Sequence, residues 1–216
     1  SVNKQTSRQV THINNKNNPV SSTRSLVYSS TKKLLRLMTS LALRPFLPSD
    51  KPFLIDLYEH SFPEEGRRPT RGWLEMPGRD AAFCLNGIEA DGVAAGLLTV
   101  WQFREFAYVE HFAVSPEMRG GGLGARALQT LVESVQVPIV LEVEPKGSTP
   151  MADRRIAFYE RQGFVLSPLS YMQPPYRPEG AAIALNLMST RGDWLCASHE
   201  VVCKEIYRRV YGVAAQ

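Results

Sequence analysis

Residues 108–130, YVEHFAVSPEMRGGGLGARALQT, decide how the rest of the chain is read. The stretch opens as a strand ending near Ser115 and bends through Pro116. It then passes by Arg119-Gly120-Gly121-Gly122-Leu123-Gly124-Ala125 straight into a segment with Leu123, Ala127, Leu128, Leu131 and Val132 at helical spacing. The glycines strip side chains from a helix N-terminus. The first amides of such a helix lack intrahelical partners, and the macrodipole adds roughly half a positive charge there. A bulky anion can approach those donors, and Arg119 can add a charge-assisted hydrogen bond. The chemistry implied is a grip on phosphate or pyrophosphate. A P-loop is disfavoured because no Lys-Ser/Thr pair follows the glycines. A dinucleotide-binding turn needs its glycines directly behind the first strand of a βαβ unit, whereas here an antiparallel series and a bend come first. A flexible glycine turn with a solvated arginine is the bland alternative.

Upstream, residues 81–88, 93–103 and 106–115 read as three strands. Asp91-Gly92 between the first two is a hairpin turn, because both residues tolerate positive φ. Leu41 and Leu43 open an earlier strand with alternating faces. After Ser49, read as a helix N-cap, Phe53, Leu54, Leu57, Tyr58 and Phe62 recur at helical spacing, and Trp73, Leu74 and Met76 mark a second helix. Downstream, 138–143 is a short apolar strand, and 151–162 a helix stopped at Gly163, where a left-handed residue is wanted. Residues 164–166 and 181–188 read as closing strands around a Pro-rich loop, Gln173-Pro174-Pro175-Tyr176. Leu195, Val202, Ile206 and Val210 put one apolar face on a terminal helix. The order β-α-α-β-β-β-α-β-α-β-β-α mixes hairpins with crossover helices, so the class is α+β (mixed α/β).

With 44% hydrophobic and 21% charged residues over 216 positions, the chain has the means to build a core. No stretch approaches the ~18 unbroken apolar residues of a membrane span, so no membrane partner is expected. Cys84, Cys196 and Cys203 form no C-x-x-C pair, which disfavours a disulfide framework or a zinc knuckle. They point to a reducing compartment, the cytoplasm, and no metal is expected. The net charge of +4 is carried by the first 37 residues, which hold seven Lys or Arg and no acid. The rest has 18 basic against 21 acidic residues, a net of −3, which lowers the prospect of a nucleic-acid site. Residues 1–37 are rich in Ser, Thr and Asn without apolar phasing, and a disordered tail is expected. The tail lacks the apolar run of a secretory signal and shares the makeup of an organellar presequence; alternatively it is upstream sequence ahead of a start at Met38. The organisation expected is a tail (1–37), a main domain (38–190) and a terminal helix (191–216).

Arg119-x-x-Gly122-x-Gly124 resembles the Q/R-x-x-G-x-G/A acyl-CoA pyrophosphate signature of the GNAT N-acetyltransferases. Phe112-Ala113-Val114-Ser115-Pro116 is similar to that family's fourth-strand ending. A second, independent match lies about forty residues on, where Arg155-Ile156-Ala157-Phe158-Tyr159-Glu160-Arg161-Gln162-Gly163-Phe164 resembles the family's helix and turn ending in F-Y-x-R-x-G-F. The likeness in element order spans residues 41–188. It implies a mostly antiparallel central sheet with helices on both faces, whose fourth and fifth strands splay, the pantetheine arm of acetyl-CoA lying in the gap like an added strand. It further implies acetyl-CoA as co-substrate, with backbone groups of Phe112 and Val114 against the pantetheine amides. The amides of Arg119, Gly120, Gly121, Gly122, Leu123, Gly124 and Ala125 would hold the pyrophosphate. Tyr159 matches a tyrosine that often stands near the thioester sulfur, where a phenol can give a proton to the leaving thiolate.

The acceptor must also lose a proton, since a free alkylamine has a pKa near ~10. Glu110 and His111 are the candidate bases, directly or through water, with water alone or a distant residue as the alternative. Strict alternation puts them on opposite faces, Glu110 with Phe112 and Val114, His111 with Val109 and Ala113. Glu110 is favoured, and a fourth-strand bulge of the kind found in this family would reverse the parity. The sequence departs from the family at Ala152, where many members carry asparagine; Arg154 and Arg155 follow, read as a solvated face or as reaching cofactor phosphates. The expected function is transfer of an acetyl or longer acyl group to a primary amine in a ternary complex. Residues 54–76 and 171–178 would form the acceptor side. A non-catalytic acyl-CoA sensor is the alternative, and the terminal helix offers a surface on which a homodimer could form.

Overall fold

The computed structural model describes residues 40–213; the readings of 1–37 as a tail and of Met38 as a start lie outside them. The strand β1 (Leu41–Pro45) leads through a 3-10 turn into α1 (Lys51–Ser61) and α2 (Thr70–Arg79). Three strands follow, β2 (Phe83–Ala90), β3 (Val93–Gln102) and β4 (Ala107–Val114), then α3 (Leu123–Ser134), β5 (Ile139–Val143) and α4 (Pro150–Glu160). The chain closes with β6 (Val165–Leu166), β7 (Tyr171–Gln173), β8 (Ile183–Ser189), α5 (Gly192–Ile206) and a π-helical turn at Tyr207–Tyr211. Asp91 and Gly92 take φ of 48° and 80° to close the β2–β3 hairpin. Asp50, not Ser49, occupies the α1 N-cap position. Its carboxylate is taken by Arg44 at 2.6 and 3.0 Å and by the Leu47 amide at 2.9 Å. The strand β7 falls in the stretch read as a loop; it pairs with β8 from Tyr171↔Leu185 to Gln173↔Ile183, and three residues are too few for alternation to show.

The sheet runs β1-β2-β3-β4-β5-β8-β6, with β7 also on β8, and every pair is antiparallel except β4–β5. It is the mixed α+β architecture that the element order implies. One face is covered by α1, α2 and α5 over a core containing Leu54, Tyr58, Trp73, Leu97, Trp101, Leu195 and Ile206. The other is covered by α3 and α4 over Leu98, Val109, Leu128, Leu131, Leu141 and Ile156. Burial on both faces explains why β3 reads as a continuous apolar run. The rings of Tyr58 and Trp73 stack at 3.9 Å in the first core. No helix among the described residues is long and apolar enough to cross a membrane.

The strands β4 and β5 pair only at Ala107↔Ile139, Tyr108↔Val140 and Val109↔Leu141. One residue on, β4 bulges: Thr99 faces His111 and Val100 faces Val109, so Glu110 is the extra residue. A bulge bends its strand, and here the two strands part. It also overturns strict alternation. Glu110 bonds Trp101 and His111 packs against Phe62, both on the α1–α2 side, whereas Phe112 and Val114 join Val109 on the α3–α4 side. Glu110 and His111 therefore share a face, and the parity that grouped Glu110 with Phe112 and Val114 is corrected.

Candidate active site

The glycine loop enters α3 by a left-handed step. Gly120 and Gly122 have φ of 86° and 81°, and Gly122 caps the helix without a side-chain bond. The Arg126 amide reaches the Gly122 carbonyl at 3.1 Å, so the amides of Leu123, Gly124 and Ala125 precede the first helical hydrogen bond. The glycines here answer to different demands. A Cβ on Gly124 would lie 3.6 Å from Phe112, Phe158 and Val114, an ordinary contact, whereas Gly122 holds a φ that L-residues resist. Gly124→Ala is expected to melt close to wild type, and Gly122→Ala to lose about 1 kcal/mol or more in urea titrations. Arg119 is exposed, and its Nε donates to the Val114 carbonyl at 2.9 Å, turning the guanidinium back onto β4.

A cleft of about 870 Å³ opens where β4 and β5 part. Glu110, Phe112, Val114, Arg119, Gly120, Gly122, Leu123, Gly124, Ala125 and Tyr159 all border it; Gly121 does not. Tyr159 comes from α4, whose N-terminus is capped by Thr149 accepting from the Ala152 amide at 3.0 Å. Its ring packs between Phe158 and Phe164, and burial pushes the phenol up to about 12, so it is protonated at neutral pH. One turn earlier, Arg155 lies exposed on the helix face and pairs with Glu144 at the cleft's edge. Of the cysteines, Cys196 is exposed and Cys84 and Cys203 are half-buried; burial pushes the Cys203 thiol up to about 11.

The two expected bases differ in what holds them. The Glu110 carboxylate is 0% exposed and accepts from Arg68 at 2.7 Å, Trp101 at 2.7 Å and Tyr176 at 2.9 Å. Burial opposes its charge, but Arg68 and these donors prevail, leaving it below the usual carboxylate range. His111 is buried against Tyr58 and Phe62, and desolvation pushes it down to about 4, so it is neutral. Across the gap, on β5, stands a third group that the sequence reading did not pick out. Glu142 borders the cleft and accepts hydroxyl bonds from Tyr171 and Tyr211. Burial raises it to about 7 against those bonds. The only signal for it was a lone acid in an apolar strand, Ile139-Val140-Leu141-Glu142-Val143.

A model of the GNAT acetyltransferase family matches residues 49–164. The chain is 35% identical over 69 residues to YjbC, an acetyltransferase-like protein of Bacillus subtilis; the match spans 32% of this chain and about a third (35%) of that relative. Among solved structures, a GNAT-family protein from Bacteroides thetaiotaomicron is 38% identical with a TM-score of 0.75, over 80% of this chain and 99% of that one. The acetyltransferase-like YncA of Salmonella typhimurium, solved with acetyl-CoA, shares the fold at 18% identity and a TM-score of 0.51, over 70% and 93%. Since the family model spans more than half of the sequence and a solved relative is matched along nearly all of its length, the chain belongs to the GNAT family of acetyltransferases.

Proposed function

We propose that the protein transfers an acetyl group from acetyl-CoA to a primary amine by direct attack in a ternary complex. The observation that carries this reading is that one cleft is bordered by the parted edges of β4 and β5, the side-chain-free N-terminus of α3, and a protonated tyrosine. The residues fit the co-substrate. The amides of Leu123, Gly124 and Ala125 suit a pyrophosphate, and beyond Val109 the β4 edge at Phe112 and Val114 has no partner strand on the β5 side among the described residues, which suits pantetheine amides. Acetyl-CoA supplies the acyl group already activated as a thioester.

In this reading Glu142 takes the proton from the incoming ammonium, since a base is most effective when its pKa lies near the working pH. Its carboxylate has about four lone-pair sites, so the tyrosine hydroxyls leave room for an acceptor. Tyr159 keeps a proton on Oη, available to a departing thiolate. Glu110, ionised and engaged by Arg68, Trp101 and Tyr176, holds the acceptor wall together and is a poor proton acceptor.

Offered acetyl-CoA and a panel of aminoglycosides, polyamines, amino acids and peptide N-termini, the protein is expected to release CoA thiol with at least one acceptor. The rate is expected to climb as pH rises through about 7, because the ionised base is the active form. Tyr159→Phe is expected to slow release about 10²-fold or more. Binding of acetyl-CoA that raises the melting temperature, with no thiol released by any amine, favours the non-catalytic sensor instead.

A further inference from the structure

The family match ends at residue 164, yet a segment far beyond it reaches the acceptor side of the cleft. Leu195, Val202 and Ile206 anchor α5 in the core, and the π-helical turn that follows buries Val210 and swings Tyr211 inward. Gly212, with φ of 69°, closes the turn as a left-handed helix end. The Tyr211 hydroxyl lies 3.1 Å from each Glu142 oxygen, and 3.4 Å from the hydroxyls of both Tyr108 and Tyr176. Tyr176 in turn donates to Glu110 at 2.9 Å. Two buried carboxylates on neighbouring strands thus each hold one of these two phenols, whose oxygens stand 3.4 Å apart. Arg68 fixes the turn by donating to the Val210 carbonyl, and Tyr207 does so by donating to the Met172 carbonyl at 2.7 Å.

The groups facing Glu142 come from every element packed on it: Tyr108 and Glu110 from β4, Tyr171 from β7, Tyr176 from the loop behind it, and Cys203, Tyr207 and Tyr211 from α5 and its turn. Of these, the hydroxyls of Tyr171, Tyr108 and Tyr211 all hold its pKa down, in that order, those of Tyr171 and Tyr211 in direct bonds to its oxygens. A phenol donor favours the ionised carboxylate, while burial and the charge of Glu110 disfavour it.

We propose that Tyr211 is a positioning residue for Glu142, its hydroxyl setting the orientation of that carboxyl and the pH at which it ionises, so that the C-terminal turn is a working part of the acceptor side. The inference rests on the reading of Glu142 as the base. It is tested by following the ¹³Cδ shift of Glu142 against pH in glutamate-labelled protein, assigned with Glu142→Gln, alongside the pH profile of kcat/KM. Removing the donor in Tyr211→Phe is expected to raise the Glu142 titration by about one pH unit. The rising limb of the profile is expected to move with it, at unchanged KM for acetyl-CoA. Tyr207→Phe removes a hydroxyl that anchors the same turn on Met172 without bonding Glu142, and is expected to move both by less than half as much as Tyr211→Phe. A 3-fluorotyrosine at position 211, a stronger donor of nearly the same shape, is expected to shift the titration downward. This variant decides the matter should Tyr211→Phe fold poorly. An unmoved Glu142 titration in folded Tyr211 variants overturns the proposal, and so do equal shifts in the Tyr207 and Tyr211 variants. A titration that moves while the rate limb stays supports the hold of Tyr211 on Glu142 and counts against Glu142 as the base.

Discussion

Glu142→Gln is expected to lower kcat by about 10²–10⁴-fold, with affinity for acetyl-CoA within a factor of two of wild type. The substitution keeps the shape of the side chain and an oxygen for the hydroxyls of Tyr171 and Tyr211, so the fold survives. What is lost is the capacity to take a proton. The glycine-stripped end of α3, which the pyrophosphate would occupy, is built from other residues, so co-substrate binding persists. The variant should also lose the rise in rate through about pH 7. Stability gives an independent check. Burial raises Glu142 from its ordinary 4.5 to about 7 in the native state, so its stabilising contribution is full below 4.5 and is lost as pH rises through about 7. Relative to wild type, Glu142→Gln protein is therefore expected to melt higher at pH 8 than it does at pH 4. Single-turnover thiol release, calorimetric binding and melts at the two pH values measure all three. A kcat within tenfold of wild type would remove Glu142 from the reaction.

The largest loss of stability is expected from Arg68→Met, at about 3–5 kcal/mol. Arg68 is 15% exposed and its partner Glu110 is 0% exposed, so removing the guanidinium strands a buried carboxylate. The same guanidinium lies 5.4 Å from the ring of Trp101 and 5.1 Å from that of Tyr176, and donates to the Val210 carbonyl. One side chain thus ties together the α1–α2 connection, β4, the loop after β7 and the C-terminal turn. Methionine fills the space between the rings without the charge. Burial then dominates at Glu110, and its native pKa rises above that of the unfolded chain. By the same linkage, the deficit is largest at neutral and alkaline pH and shrinks in acid as Glu110 takes a proton. Adding Glu110→Gln to Arg68→Met is expected to restore most of the stability. Urea denaturation at pH 5 and pH 8 separates the cases. A loss below about 1 kcal/mol at both pH values would show that Glu110 is not left stranded, its remaining donors or water carrying the charge.

What is legible in this sequence is what the backbone demands of single residues. Gly120 and Gly122 are needed at positive φ, as are Asp91 and Gly92, and each appears in the sequence as a residue type. The helix carrying Tyr159 is legible for a similar reason, ending at Gly163 with φ of 86°. Less is legible where structure depends on a neighbour. The bulge at Glu110 is a property of the β3–β4 pair and leaves no mark on β4 alone, so alternation sends Glu110 and His111 to opposite faces when in fact they share one. The strand β7 exists because β8 pairs with it. Glu142 shows only as an acid among apolar residues; its character comes from burial, opposed by hydroxyls of Tyr171 and Tyr211, which lie 29 and 69 positions away. Spacing within one segment carries no trace of such a cluster.

The surplus residue in β4 works as a dislocation in an otherwise regular ladder. Excising Glu110 would leave every other side chain of the strand on its present face, since Val109 and His111 already stand on opposite sides of the sheet. The hydrophobic pattern would survive intact, and the ladder could heal against β5. The opening between the strands is thus a matter of register, set by one residue whose carboxylate also serves Arg68, Trp101 and Tyr176.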